Sequence, residues 1–349
     1  MIARTTALAG IVLAGVVLVS PPAEARGARV LLDNGKLTVI GTDSSNTIVI
    51  TRAKKAVKVK VDGKKIRIGK PIKPRKVKQI EVQGRGGNDT VRLVEKAGPL
   101  PKATLNGGPG NDDLTGGSGK TTLIGGPGND RLVGGPGQTT MIGGNDDDAL
   151  VGGAGAATMD AGGGNDTAQG GSGSATVDLG PGNDSFQGGT GPVVVDGGVG
   201  SDTLVAGPAV SAQLFGGADP DVVTGGTGTA DLRGEGAPDK LTAGTGPTVM
   251  NGGDGPDQLR AGAQTSQVTG ELGDDTFMFG ESFAGGAIES FGPSSITDFG
   301  IGADTVKLFT GLSVHTGLGT TAVTAWDGAT DRGTITAANG HLWDVANFS

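Results

Sequence analysis

Aspartates recur at a fixed interval through the middle of this 349-residue chain. Asp112, Asp130, Asp148, Asp166, Asp184 and Asp202 each stand 18 residues after the last; after one extra residue near Ala206–Phe215 the series resumes at Asp221, Asp239, Asp257 and Asp275. If the chain completes one coil per interval, these side chains stack at the inter-strand spacing, about 4.8 Å. Neighbouring carboxylates then repel by roughly 0.8 kcal/mol even at the dielectric of water, and by more when partly buried. Gly-rich turns also leave backbone carbonyls in need of partners. Carboxylates and carbonyls together make an all-oxygen donor set, which suits a hard cation. Calcium, with roughly six to eight oxygens in flexible geometry, fits better than magnesium, which dehydrates reluctantly. Folding and ion binding are then coupled.

The elements that would position these residues are legible as a nine-residue unit. From Gly107 the chain reads GGPGNDDLT, GGSGKTTLI, GGPGNDRLV, GGPGQTTMI, GGNDDDALV, GGAGAATMD, and it continues with blurring to GELGDDTFM at Met278. Alternate units carry Asp at position six; the units between carry Thr121, Thr139, Ala157, Ala175, Val193, Ala230, Thr248 and Ser266. Position eight is apolar almost throughout, from Leu114 and Leu123 to Val268 and Phe277, with Ala168 a weak member. One inward side chain per unit suits a short strand of about three residues after a tight turn. Two units make one coil, so the Asp turns fall on one edge and the Thr/Ala turns on the other. The fold class expected is all-β: a parallel β-roll, or β-solenoid, of 18-residue coils with β-rich N-terminal and C-terminal caps.

These units resemble the RTX (hemolysin-type) nonapeptide GGxGxDxUx, whose fold is a parallel β-roll. The resemblance covers about half the chain. It implies calcium held between successive turns by the position-six Asp and turn carbonyls, which carries over to the ten aspartates above. The family usually loads both edges; here the alternate positions lack carboxylates, so a one-sided roll with at most nine ions between ten turns is expected. Asp146, Asp219 and Ala237 replace the position-four Gly, and Glu235 and Glu271 the position-two Gly. Weaker sites are expected there.

Composition supports a metal-ordered repeat. Gly is 70 of 349 residues, aromatics are 3% and Tyr is absent, so a thick conventional core is excluded. Absence of cysteine excludes disulfides and thiolate chemistry. The first 25 residues read as a secretory signal peptide: Arg4, an apolar run Ala7–Val19, Pro21-Pro22 and an A-x-A site at Ala23-Glu24-Ala25. The expected location is therefore secreted or extracellular, with association to the cell surface as an option and no membrane span after signal removal.

Residues 26–105 read as a basic N-terminal β cap, with strands expected at Leu37–Ile40, Thr47–Ile50, Val57–Val61, Ile66–Ile68 and Ile80–Val82. Within it GRGGNDTVRL places Asp89 at position six, 23 residues before Asp112, so Val94–Lys102 must bulge; GTDSSNTIVI looks like a degenerate unit with Asn46 in the Asp place. Thirteen of 28 basic residues lie between Arg52 and Lys78. They suit a solubilising face or an anionic cell-wall polymer or polysaccharide; nucleic acid is not expected without aromatic stacking residues nearby. Residues 106–278 form the roll. Residues 279–349 hold most of the aromatics, and SITDFGIGADTVKLF resembles the capping segment after the repeats of serralysin-type proteases, where Asp298 and Asp304 would hold a further calcium.

Catalytic motifs are missing. There is no H-E-x-x-H, and the only histidines are His315 and His341. The run Gly116–Thr122 imitates a phosphate loop, but Leu114 stands where that pattern requires Gly. The abundant carboxylates could suggest a glycosidase pair, but ligand duty accounts for them. The chain is expected to be a non-enzymatic, calcium-folded extracellular repeat protein. An adhesin or polysaccharide-binding module is the alternative, with ice binding by the Thr row (Thr122, Thr140, Thr158, Thr176) on the metal-free edge as a minor one.

Overall fold

The computed structural model describes residues 27–66, 70–209, 211–262, 264 and 266–279, and backbone strands at 12–13, 16–17, 294–298, 305–308, 313–316, 322–327 and 330–337. The chain winds as a stacked series of coils with two parallel sheets. In the long sheet, strands such as Thr121–Pro127, Thr139–Asn145 and Ala157–Gly163 pair in parallel at 18-residue steps. In the short sheet, Asp113–Thr115, Arg131–Val133 and Ala149–Val151 do the same. Backbone strands Ser294–Asp298 and Thr305–Leu308 continue the two sheets beyond the repeats.

The expectation of equal three-residue strands is corrected. From Asp112 to Asp257 the strands after the Asp turns have three residues, but those after the alternate turns have seven or eight. Position six explains the difference. In alternate units it is a small or β-branched residue that points inward and joins the ladder, as Thr121, Ala175 and Val193 do. The strand then runs on through the first glycines of the next turn, which pair coil to coil.

Position-eight residues form the apolar seam. Leu114, Leu123, Leu132, Met141, Leu150, Leu204, Leu232 and Phe277 have no exposed surface, and even Ala168 is buried. One buried side chain per unit is a thin core, and fully burying each stabilises by about 1.5–3 kcal/mol.

The roll begins earlier than Gly107. Lys36–Ile40 pairs in parallel with Gln79–Gln83, and Thr47–Arg52 with Thr90–Glu95, so residues 36–52 and 79–95 are two further coils. Two antiparallel hairpins close the exposed end: Arg29–Asp33 on Lys36–Ile40, and Val57–Val61 between Thr47–Arg52 and Lys64–Ile66. Their turns are Asn34-Gly35 and Asp62-Gly63, all four residues at positive φ, which is the two-residue turn whose twist matches paired strands. Residues 67 and 68 of the expected Ile66–Ile68 strand lie outside the described residues. The bulge between coils is narrower than expected. Val94 and Glu95 stay in the sheet, and Leu100 turns inward at 2% exposure.

Candidate metal centre

Every position-six Asp lies inside its turn. Asp89, Asp112, Asp130, Asp148, Asp166, Asp184, Asp202, Asp221, Asp239, Asp257 and Asp275 are 1–3% exposed. The turn folds inward because its glycines reach conformations denied to other residues; Gly128, at position four, has φ +115°. One carboxylate oxygen of each Asp is fixed by a backbone ladder. The Asp112 N–H donates to Asp130 Oδ1 at 2.6 Å, Asp130 N–H to Asp148 Oδ1 at 2.7 Å, and the pattern runs on to Asp257 N–H and Asp275 Oδ1 at 2.9 Å. At the other end Asp89 N–H donates to Asp112 Oδ1, and Asn46 N–H to Asp89 Oδ1, both at 2.6 Å. Asn46 therefore occupies the Asp place of the first coil, and the 23-residue step from Asp89 to Asp112 does not interrupt the column.

The second oxygen is the informative one. Oδ2 of Asp89, Asp112, Asp130, Asp148, Asp166, Asp184, Asp202, Asp221, Asp239 and Asp257 is buried with no hydrogen-bond partner. A buried carboxylate oxygen left this way costs on the order of 1–3 kcal/mol, more when charged. Burial, opposed only in part by the amide bond, pushes the carboxyls of Asp112, Asp148, Asp184, Asp239 and Asp257 up to about 7. Those of Asp89, Asp130, Asp202 and Asp221 rise to about 6 for the same reason. Each group must take up a proton or acquire a cation.

Other oxygens gather at the same place. A β-carbon on Gly125 would strike both Asp130 Oδ2 and the Gly143 carbonyl oxygen of the next coil; at Gly234 it would strike Asp239 Oδ2 and the Gly252 carbonyl. The position-one Gly thus keeps open a cradle of carboxylate and carbonyl oxygens. Among the described residues no group of three or more His, Cys, Asp or Glu is arranged to hold a metal, so a cation here must draw on carbonyls. That donor set fits calcium. Two coils differ in a way that counting Asp residues did not reveal: position one is Ala161 before Asp166 and Leu179 before Asp184, both with no exposed surface.

The substituted turns keep their shape. Asp146, Asp219 and Ala237 at position four have φ of 71–75°, and Glu235 and Glu271 at position two have φ of 78° and 72°. A left-handed conformation costs a non-Gly residue about 1–2 kcal/mol. Three of these side chains bring charge to the column: Asp146 raises the carboxyls of Asp130 and Asp148 further, and Asp219 and Glu235 that of Asp221.

A second, outer ladder was not anticipated. At position five, Asn129 N–H donates to Asn111 Oδ1 at 3.2 Å and Asn183 N–H to Asn165 Oδ1 at 2.9 Å. Its polarity is opposite to that of the Asp ladder. It reaches Ser201 and stops at Pro220, Pro238 and Pro256, which have no N–H to donate.

The alternate edge satisfies itself. Thr121, Thr139 and Thr248 donate their hydroxyls to the carbonyls of Gly119, Gly137 and Gly246, at 3.0–3.2 Å. The phosphate-loop imitation lies here, and its Ser118 N–H already donates to the Glu95 carboxylate. The Thr row is misplaced in the expectation above. Thr122, Thr140, Thr158 and Thr176 lie on the outward face of the long sheet, not in the edge turns, and the row extends back to Thr104. Asp298 is known only as backbone, and Asp304 and the remaining C-terminal aromatic cap lie outside the residues whose side chains are described.

No curated protein matches the chain. The family described as RTX calcium-binding nonapeptide repeat (4 copies) matches at residues 106–141, 124–159, 142–177, 178–208 and 251–281. Residues 209–250 fall between these matches, yet Asp221 and Asp239 continue the ladder through them at 2.7–2.8 Å. Repeat match and coil geometry agree: residues 106–208 and 251–281 carry RTX calcium-binding nonapeptide repeats.

Proposed function

We propose that the protein is secreted and folds outside the cell when calcium enters the Asp edge, serving as a structural extracellular module without catalytic activity. The observation that carries this reading is the column of buried Oδ2 atoms with no partner. Asp89, Asp112, Asp130, Asp148, Asp166, Asp184, Asp202, Asp221, Asp239, Asp257 and Asp275 would be the carboxylate ligands, and position-one carbonyls such as those of Gly143 and Gly252 would complete the set. Bound calcium supplies positive charge that lets buried carboxylates stay ionised at neutral pH. The chain's own residues do the rest: amide bonds aim each carboxylate, and glycine keeps the cradle open. With Asp89 in the column, the ceiling rises from nine gaps between aspartates to ten. The apolar leader and its A-x-A site support export. Among the described residues no helix is long and apolar enough to cross a membrane.

The test is a calcium titration of the chain without residues 1–25, followed by far-UV circular dichroism, with magnesium as control. A coil-to-β transition at calcium near ~10⁻⁴ to 10⁻³ M, the range of extracellular modules, is expected. Equal response to magnesium, or full β structure in chelator at neutral pH, would overturn the reading.

A further inference from the structure

The calcium reading leaves one charged region unused. Residues 53–78 contain 12 Lys and Arg against a single acid, Asp62, leaving 16 basic and 35 acidic residues elsewhere. Asp62 is already engaged, accepting the Thr47 N–H at 2.8 Å. The segment covers the N-terminal end of the solenoid. Val57 N–H donates to the Ile72 carbonyl on one side and Lys78 N–H to the Gly35 carbonyl on the other, and buried Ile72 and Val77 plug the core beneath.

Among the described residues of this segment the apolar side faces in and the cations face out. In Val57–Val61 the valines are buried and Lys58 and Lys60 exposed. Lys60 stands directly opposite Lys65 on the antiparallel neighbour, a like-charge pair that destabilises the sheet unless an anion lies over it. Arg75, Lys76 and Lys78 line a cleft of about 660 Å³ with Asn34, Gly35 and Leu32. The stem of Lys78 packs against Gly35, which fixes that side chain at the rim. Among the described residues none of these cations forms an ion pair.

We propose that this end of the roll, the cleft of Arg75, Lys76 and Lys78 with the facing lysines 58, 60 and 65, docks an acidic polysaccharide. Charge sets the orientation, because the rest of the molecule repels a polyanion and only this end attracts one. The chemistry also selects the polymer class. No aromatic residue precedes Phe186 in the chain, so bases have nothing to stack on. Among the described residues of 27–100, Leu31 is the one large apolar side chain that is substantially exposed, too little to enter a lipid interface. Carboxylates spaced along a glycan need only exposed cations.

The experiment uses the chain without residues 1–25, in 1 mM calcium, over immobilised carboxymethyl-dextran, with plain dextran as its neutral twin. The expected result is retention on the charged polymer alone, weakening as salt is raised. The triple variants R75Q/K76Q/K78Q and K58Q/K60Q/K65Q should each lose roughly tenfold in affinity, with the calcium-induced circular dichroism change intact. That spectrum separates loss of docking from loss of fold. Equal retention on dextran, or unchanged binding by both variants, overturns the proposal. So does binding to phosphatidylserine vesicles or duplex DNA as tight as to the charged glucan.

Discussion

The two edges of the roll are built on the same nonapeptide pattern, and the residue at position six sets them apart. On one edge position six is Asp, whose first oxygen is held by the amide of the preceding coil and whose second is buried with nothing to bond. On the other it is Thr, Ser, Ala or Val; the hydroxyls bond a carbonyl of their own turn, and the alkyl groups need no partner. One edge is complete as a polypeptide, and the other is complete only with a proton or a cation. A single column of side chains, rather than a thick core, decides whether this fold depends on its surroundings.

The largest effect expected from that contrast is a reversal of pH dependence by calcium. Without metal, nine of the folded carboxyls, from Asp89 to Asp257, lie at about 6–7 against an ordinary 3.8. The folded state therefore binds more protons than the unfolded one between pH 4 and 7. Stability from this source is fully present below about pH 4 and is lost as pH rises through the folded values. In chelator, β structure should be present near pH 5 and collapse toward pH 8. In calcium the order inverts, because protons compete with the ion for the same oxygens. Thermal melts with and without chelator across this range check it. A calcium-free melting temperature that rises with pH would break the comparison.

Next in size is the exchange of charge at one site. Asp130→Asn keeps an oxygen for the Asp112 amide and removes the buried charge. Calcium-free stability at pH 7.5 should rise by about 1–3 kcal/mol, while calorimetry finds fewer calcium ions bound. On the opposite edge, Thr139→Val removes one hydroxyl-to-carbonyl bond. A loss of about 1 kcal/mol is expected, with calcium stoichiometry unchanged. If Thr139→Val weakened calcium binding as much as Asp130→Asn, the edges would not be independent.

Much of this contrast was legible in the chain because a solenoid turns sequence spacing directly into spatial neighbourhood. The 18-residue step placed the aspartates on one edge, and position eight in the seam, without knowledge of any contact. What stayed hidden depends on direction rather than spacing. Spacing does not say that Asp112 and its kin turn inward, or that position-five Asn reaches the opposite way along the axis. Unequal strand lengths follow from the inward orientation of Thr121 and Val193, which a one-inward-residue count ignores. The N-terminal hairpins did carry a signal: Asn34-Gly35 and Asp62-Gly63 sit between alternating apolar residues, the strongest short-range mark of such a turn.

The smallest effect tests whether the Asp edge is uniform. Position one is Gly beside Asp130 but Ala161 and Leu179 beside Asp166 and Asp184. At Gly125 a β-carbon would collide with Asp130 Oδ2 and the next coil's carbonyl; at 161 and 179 the chain carries one, fully buried. Those two turns must have yielded room that elsewhere belongs to oxygens. Asp166→Asn should therefore raise the calcium midpoint less than Asp130→Asn, by about threefold if the difference is worth some 0.7 kcal/mol. Ala161→Gly should narrow the gap between them. Paired calcium titrations of the three variants would decide it, and equal midpoints for the two Asn variants would mean that the carboxylate column, not the space beside it, sets affinity along the whole edge.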